Sequence, residues 1–116
     1  MNAEPRCAVA LTAEFVGGKW KSVILFYLLD GTLRFSELRR KIPGITQRML
    51  TLQLRELEAD GIVQRIVHPV VPPRVEYRLT PFGLTLEPVL RLMAEWGKRY
   101  KRRCEAALAE RETATV

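Results

Sequence analysis

Two cysteines, one histidine and no apolar run longer than seven residues exclude several kinds of protein for this 116-residue chain. A solitary His68 cannot supply a multi-histidine metal site. Cys7 and Cys104, 97 positions apart, make neither a disulfide framework nor a paired metal motif. The longest apolar run, Val23 to Leu29, falls far short of the about 20 residues that span a membrane, and no signal-peptide pattern opens the chain. A cytoplasmic location with no membrane partner is therefore expected. Also missing are a P-loop, a G-x-G-x-x-G turn, an H-E-x-x-H helix and a recognisable Ser-His-Asp set, so neither an enzyme nor a cofactor is expected. No repeat, Gly/Ser linker or low-complexity tract interrupts the chain, which predicts a single domain over residues 1–116.

What the chain does have is enough apolar content for one core, at 47% of residues, and an excess of positive charge. Nineteen Lys and Arg against 13 Asp and Glu give a formal net charge of +6. The distribution carries more information than the total. Between Arg34 and Arg55 there are six basic residues and one acid, Glu37, and Lys98 to Arg103 places five basic residues in six positions. Clustered cations suit a polyanion, although basic charge alone also serves solubility.

Turn signals divide the chain into elements. A helix is expected from about Arg6 to Val16, ended by Gly17-Gly18 through a positive φ. A second, from Lys19 to Leu29, is apolar nearly all round and stops at Asp30-Gly31 as a central core helix would. Thr32-Leu33-Arg34 suits a short strand. Ser36 is the expected N-cap of a short helix Glu37 to Lys41, closed by Pro43-Gly44, and Thr46 caps the next, Gln47 to about Asp60. Leu50, Leu54 and Leu57 form the buried seam of that helix. Two helices joined by a short glycine-containing turn make a helix-turn-helix over residues 35–60. Ile62 to Val67 and Val75 to Leu79, separated by Pro69, Pro72 and Pro73, read as a two-stranded wing over 62–79. Thr80-Pro81 opens a terminal helix over about 80–109, where Pro88 predicts either a kink or a late start. The sum is a mainly α fold with a small β-wing, a winged helix-turn-helix, preceded by N-terminal and core helices over about 6–31.

With its leucines turned inward, a 100° step per residue puts Arg48, Thr51 and Arg55 on the opposite side of the helix, with Gln47 and Leu52 at the margins. Arginine binds guanine O6 and N7 bidentately, glutamine suits adenine, and threonine or leucine meets a thymine methyl. These five are candidate base readers for double-stranded DNA. Ser36, Arg39, Arg40, Lys41 and Thr46 are candidate phosphate contacts, and Arg74 and Arg65 candidate wing contacts, Arg74 in or along the minor groove. Arg78 and His68 are weaker phosphate candidates; His68 reads better as a surface strand residue and is assigned no chemistry. A solvated helix face would show the same arginines, and a winged helix that binds protein instead of specific DNA stays open as the alternative.

Gly17-Gly18-Lys19-Trp20 after an N-terminal cysteine, Arg34-Phe35-Ser36-Glu37-Leu38-Arg39, Leu54-Arg55-Glu56-Leu57-Glu58, Asp60-Gly61 and Pro72-Pro73-Arg74-Val75-Glu76-Tyr77 occur in this order. Together they closely resemble the HxlR-type regulators over about Cys7 to Gly97. The resemblance implies a prokaryotic transcription regulator, related to MarR-like winged helices, that acts as a homodimer on operator DNA. One departure is that Cys7 is followed by Ala8 where the family commonly has proline.

Leu86, Leu90, Met93, Trp96 and Tyr100 form an apolar stripe at helical spacing, longer than one small winged helix needs for its own core. With the resemblance, it predicts dimerisation through the N- and C-terminal helices. Two reading helices about 34–36 Å apart would then meet one face of a pseudo-palindrome. Cys7 and Cys104 are the candidate sensors of an oxidant or small electrophile, since some HxlR-type proteins use an N-terminal cysteine so. Two ordinary free thiols remain the alternative.

Overall fold

The structure, a computed structural model, describes residues 7–114. Its elements in chain order are α1 (Ala8–Val16), α2 (Lys21–Leu28), β1 (Leu33–Arg34), α3 (Phe35–Lys41), α4 (Gln47–Ala59), β2 (Val63–His68), β3 (Arg74–Leu79), α5 (Pro81–Leu84) and α6 (Glu87–Ala114). The winged helix-turn-helix expected from the sequence is present.

The core gathers one side of α2, α3, α4, the two long strands and the start of α6. Ile24, Leu25 and Leu28 come from α2, Leu38 from α3, Leu50, Leu54 and Leu57 from α4, Val63, Tyr77 and Leu79 from the sheet and Leu90 from α6. Each fully buried leucine contributes about 1.5–3 kcal/mol relative to exposure, so the three on α4 are enough to hold that helix to the body. The seam spacing of four and three residues works because it keeps all three side chains over one face. Thr46 caps α4 as expected, its Oγ1 accepting from the Met49 N–H at 3.0 Å. Between α3 and α4, Ile42 and Ile45 bury at 3% and 5% exposure and pin a turn in which Gly44 takes φ +90°. A side chain with a Cβ is strained there.

Several expectations need correction. The Gly17-Gly18 stop involves no positive φ: Gly17 is right-handed, with φ −76°. Arg6, where α1 was expected to begin, lies outside the described residues, and α1 starts at Ala8. Helix α2 is shorter than Lys19 to Leu29 and is not wholly enclosed, since Val23 stays 36% exposed and Phe26 and Tyr27 are only half-buried. Ser36 is not an N-cap. The helix begins two residues earlier because Arg34 is the cap, with its backbone N–H donating to Glu37 Oε1 at 2.9 Å. That bond uses only the backbone of the capping residue, which frees the position from the usual Ser, Thr, Asp or Asn.

The wing is more than a hairpin. β3 lies between β1 and β2 in an antiparallel sheet, with Leu33 opposite Tyr77 and Arg34 opposite Glu76 on one side and Arg65 opposite Tyr77 on the other. β1 leads directly into α3, so the sheet ties the wing to the helix-turn-helix. The terminal helix is broken in two. Thr80 caps the single turn α5, accepting from the Gly83 N–H at 3.0 Å, and its hydroxyl reaches Gly61 O at 2.6 Å. At Gly83 a Cβ would stand 2.2 Å from Ile62 O, so only glycine lets this turn lie against the strand entry. α6 then starts at Glu87, with Pro88 in its first turn, where a missing N–H costs no helical bond. Pro88 marks a late start and not a kink.

Candidate nucleic-acid interface

Helix α4 presents its two faces as the leucine spacing predicts. Gln47, Arg48, Thr51, Leu52 and Arg55 line one open depression on the side away from the core, with Leu52 47% exposed. The structure thus brings all five expected base readers onto one surface. Thr51 has less freedom than the others, because its Oγ1 donates to Gln47 O at 2.8 Å. Beside this depression, Gln47, Thr51, Arg55 and Glu58 face Arg65, Val75 and Tyr77 of the sheet across a cleft of about 510 Å³. Arg55 and Arg65 therefore stand on opposite walls of one cleft, although ten positions separate them.

Some cations elsewhere in the molecule find carboxylates: Lys21 pairs with Glu56 at 2.8 Å, and Arg91 with Glu87 at 2.9 Å. Among the described residues, no carboxylate lies within 4.0 Å of Arg39, Arg40, Arg48, Arg55, Arg65 or Arg74. Exposed guanidinium groups without a protein counter-charge are available to phosphate or base edges.

The other expected contacts vary. Arg39 and Arg40 are exposed on the last turn of α3, and Ser36 is exposed on its first. Thr46 keeps its O–H for an outside acceptor while its oxygen caps α4. Lys41 has a second use: its ammonium lies 5.9 Å from the centre of the Tyr27 ring, a cation–π contact that holds it toward α2. His68 is engaged by Glu76 across the hairpin, and Arg78 Nε donates to Gln64 Oε1 at 2.9 Å. Both are surface strand residues with partners. Sequence signals do not single out Arg34, which stands at the α3 end of the wing, or Glu58 in the cleft. A strand residue that also caps a helix, and an acid on a basic face, become visible only when the sheet and helix are placed together.

The stripe expected to dimerise divides in two. Leu90, at 2% exposure, belongs to the core of its own chain, which corrects its assignment as chiefly a dimer contact, and Leu86 packs half-buried against that core. Met93, Trp96 and Tyr100 are 38%, 62% and 55% exposed, and the Trp96 and Tyr100 rings stack at 5.2 Å. Met93 also joins Val23, Phe26 and Leu90 around an apolar groove between α2 and α6. The run Lys98 to Arg103 is exposed throughout.

Both cysteines are exposed free thiols. Cys7 occupies the N-cap position of α1, where it forms no capping hydrogen bond, yet the N–H dipoles of Ala10 and, second, Val9 hold its pKa below the ordinary thiol value. Among the described residues, no group of three His, Cys, Asp or Glu side chains comes together as a metal set, and no helix is long and apolar enough to cross a membrane.

The HxlR-like helix-turn-helix family matches residues 15–105. The chain belongs to that family. It is 55% identical over 106 residues to the HTH-type transcriptional regulator YdeP of Bacillus subtilis, covering 91% of this chain and 83% of YdeP. The redox regulator HypR in its reduced form superposes with a TM-score of 0.80 at 55% identity, covering 86% of this chain and 99% of HypR. The reduced form of the regulator YodB from B. subtilis does so with a TM-score of 0.70 at 37% identity, covering 83% and 95%. This HxlR-like chain is therefore a winged helix-turn-helix transcriptional regulator.

Proposed function

We propose that this protein binds a pseudo-palindromic operator as a homodimer, with α4 in the major groove and the wing on the adjacent backbone and minor groove. The observation that carries this reading is the reader face of α4. Arg48 and Arg55 flank Gln47, Thr51 and Leu52 on an open surface where no carboxylate neutralises either guanidinium. A major groove admits an α-helix, and these side chains suit its donors, acceptors and thymine methyls. Arg39, Arg40, Ser36 and Thr46 hold phosphates and set register, and Arg65 and Arg74 extend the contact along the wing.

The second copy covers the exposed face of α6 and the groove beside α2. Met93, Trp96 and Tyr100 supply apolar area there, and Val9 and Leu11 of α1, 75% and 50% exposed, supply more. An isologous contact of this kind places two reading helices on one face of the duplex. Cys7 is the thiol that senses oxidants. Its lowered pKa raises the thiolate fraction near neutral pH, and HypR, to which the chain is similar, is a redox regulator. In the dimer Cys7 meets Cys104 of the partner subunit, which requires Cα atoms within about 7 Å. The oxidation joins two thiols into one disulfide and passes two electrons and two protons to the oxidant.

The test is selection of ligands from a random DNA pool by reduced protein, repeated after diamide treatment. Enrichment of an inverted repeat that diamide abolishes, with a Cys7-dependent crosslink on a non-reducing gel, is the expected result. Enrichment unaffected by diamide overturns the thiol switch and leaves the operator reading. Affinity that fails to fall between 50 and 200 mM salt overturns the operator reading, because release of about 6–10 phosphate counterions should cost ~10³–10⁵ in affinity.

A further inference from the structure

The tip of the wing is apolar where the rest of the surface around α4 is cationic. Pro69, Val70, Val71, Pro72 and Pro73 connect β2 to β3, and Val71 is 100% exposed, with Val70 at 52%. Prolines at three of these five positions restrict φ, and the Val70 N–H donates to His68 O at 2.8 Å, so the tip is preformed. A single exposed valine needs no explanation. Its setting does. Arg74 stands at the base of the tip and Arg34 across a shallow hollow of about 530 Å³ that also takes in Phe35 and Ser36. Among the described residues neither guanidinium has a carboxylate within 4.0 Å.

An apolar point with two unneutralised guanidinium groups behind it around one hollow complements a DNA minor groove, which carries phosphates on its rims and sugars and base edges inside. The groove, about 6 Å wide, is too narrow for a helix and wide enough for a hairpin tip of valine and proline. We propose that Val71 enters the minor groove flanking the site read by α4 and selects A·T over G·C there, with Arg34 and Arg74 on the bordering phosphates; this rests on the operator reading above. An A·T pair exposes only acceptors at the floor of that groove, whereas guanine adds its N2 amino group. That amino group raises the floor where the isopropyl group must sit. It also loses its water to a side chain that accepts no hydrogen bond, leaving a buried donor unsatisfied.

Base analogues separate this contact from every major-groove contact. Inosine·C presents the major-groove edge of G·C without the N2 amino group, and 2,6-diaminopurine·T presents the major-groove edge of A·T with that group added. The full chain would be titrated against its selected operator carrying these pairs, or G·C, at the flanking A·T positions. G·C and diaminopurine·T should each weaken binding about fivefold or more, and inosine·C should not. Val71→Asn, whose amide oxygen accepts from the amino group, should remove that discrimination with an unchanged circular dichroism spectrum. If inosine·C weakens binding as G·C does, the flank is read in the major groove and the wedge is overturned. Binding indifferent to all three substitutions overturns the wedge alone. No binding to any duplex at low salt overturns the operator reading and the wedge with it, leaving the tip as a protein contact.

Discussion

Along α4 the seam residues Leu50, Leu54 and Leu57 are at most 1% exposed and the outward positions apart from Leu52 are polar or charged, whereas along α6 beyond Leu90 the residues Trp96, Tyr100 and Leu108 stay more than half exposed. Both helices are amphipathic. The first finds its cover within one chain, because α2, α3 and the sheet close over its leucines. The second extends past the body: at 28 residues it is about 42 Å long, and among the described residues its distal half gives no side chain to the buried core. Apolar spacing therefore states that a face will be covered, and the length of the helix relative to the body decides by what. The cationic surfaces are alike in one respect: among the described residues no carboxylate lies within 4.0 Å of Arg48 or Arg55 on α4, or of Lys98, Arg99, Lys101, Arg102 or Arg103 on α6.

The strongest way to break this comparison is to cut into each apolar face. Leu54→Ala should lower the stability of the protomer by about 2–5 kcal/mol in urea unfolding, as a buried leucine does. Trp96→Ala should instead leave protomer stability nearly unchanged under monomeric conditions and weaken self-association in sedimentation. Equal losses of protomer stability at the two positions would mean that α6 is covered within one chain. Next in size, Arg48→Ala or Arg55→Ala should lose about 1–3 kcal/mol of discrimination between selected and random DNA. Arg40→Ala should weaken both kinds of DNA alike, and parallel losses for all three variants would reduce the α4 face to phosphate binding.

A smaller effect sharpens the local account of α4. Thr46→Ala removes the acceptor for the Met49 N–H and should cost about 0.5–2 kcal/mol of stability, with Thr46→Ser recovering most of it. The least expected change concerns Cys7. Its folded pKa lies below the unfolded value, so the associated stabilisation is present above the unfolded pKa and is lost as pH falls through the folded one. The group is exposed, and the sensitive readout is chemical. With Cys104 replaced by serine, the rate of iodoacetamide alkylation should reach half its plateau at a lower pH in the folded protein than in urea. Coincident profiles would remove the helix-start dipoles as a source of reactivity.

Much of the reading half is legible from particular residues. Leu50, Leu54 and Leu57 reveal the inner face of α4, Thr46 its start, and the helical step then places Arg48, Thr51 and Arg55 outside. The start of α3 is not legible in this way, because Arg34 caps it through a backbone N–H that any non-proline residue has. The terminal helix misleads for a different reason: Leu90 and Trp96 are both apolar at positions of one stripe, and only their distance from the body separates a core residue from an exposed one. Pro88 is compatible with a kink or a start until Thr80 and Gly83 are seen to close a separate turn against Ile62.

The sequence by itself determined the order of the elements, the two faces of α4 and the clustering of positive charge, since local periodicity, capping and turn chemistry act over a few residues. Only the tertiary structure decided that β1 completes the wing sheet, that Arg55 and Arg65 share a cleft, that Arg34 and Arg74 share a hollow with the apolar tip, and that the stripe on α6 divides at Leu90. Those facts depend on which surfaces meet across long separations in the chain, and coverage by a distant element leaves no mark on the spacing of the residues it covers.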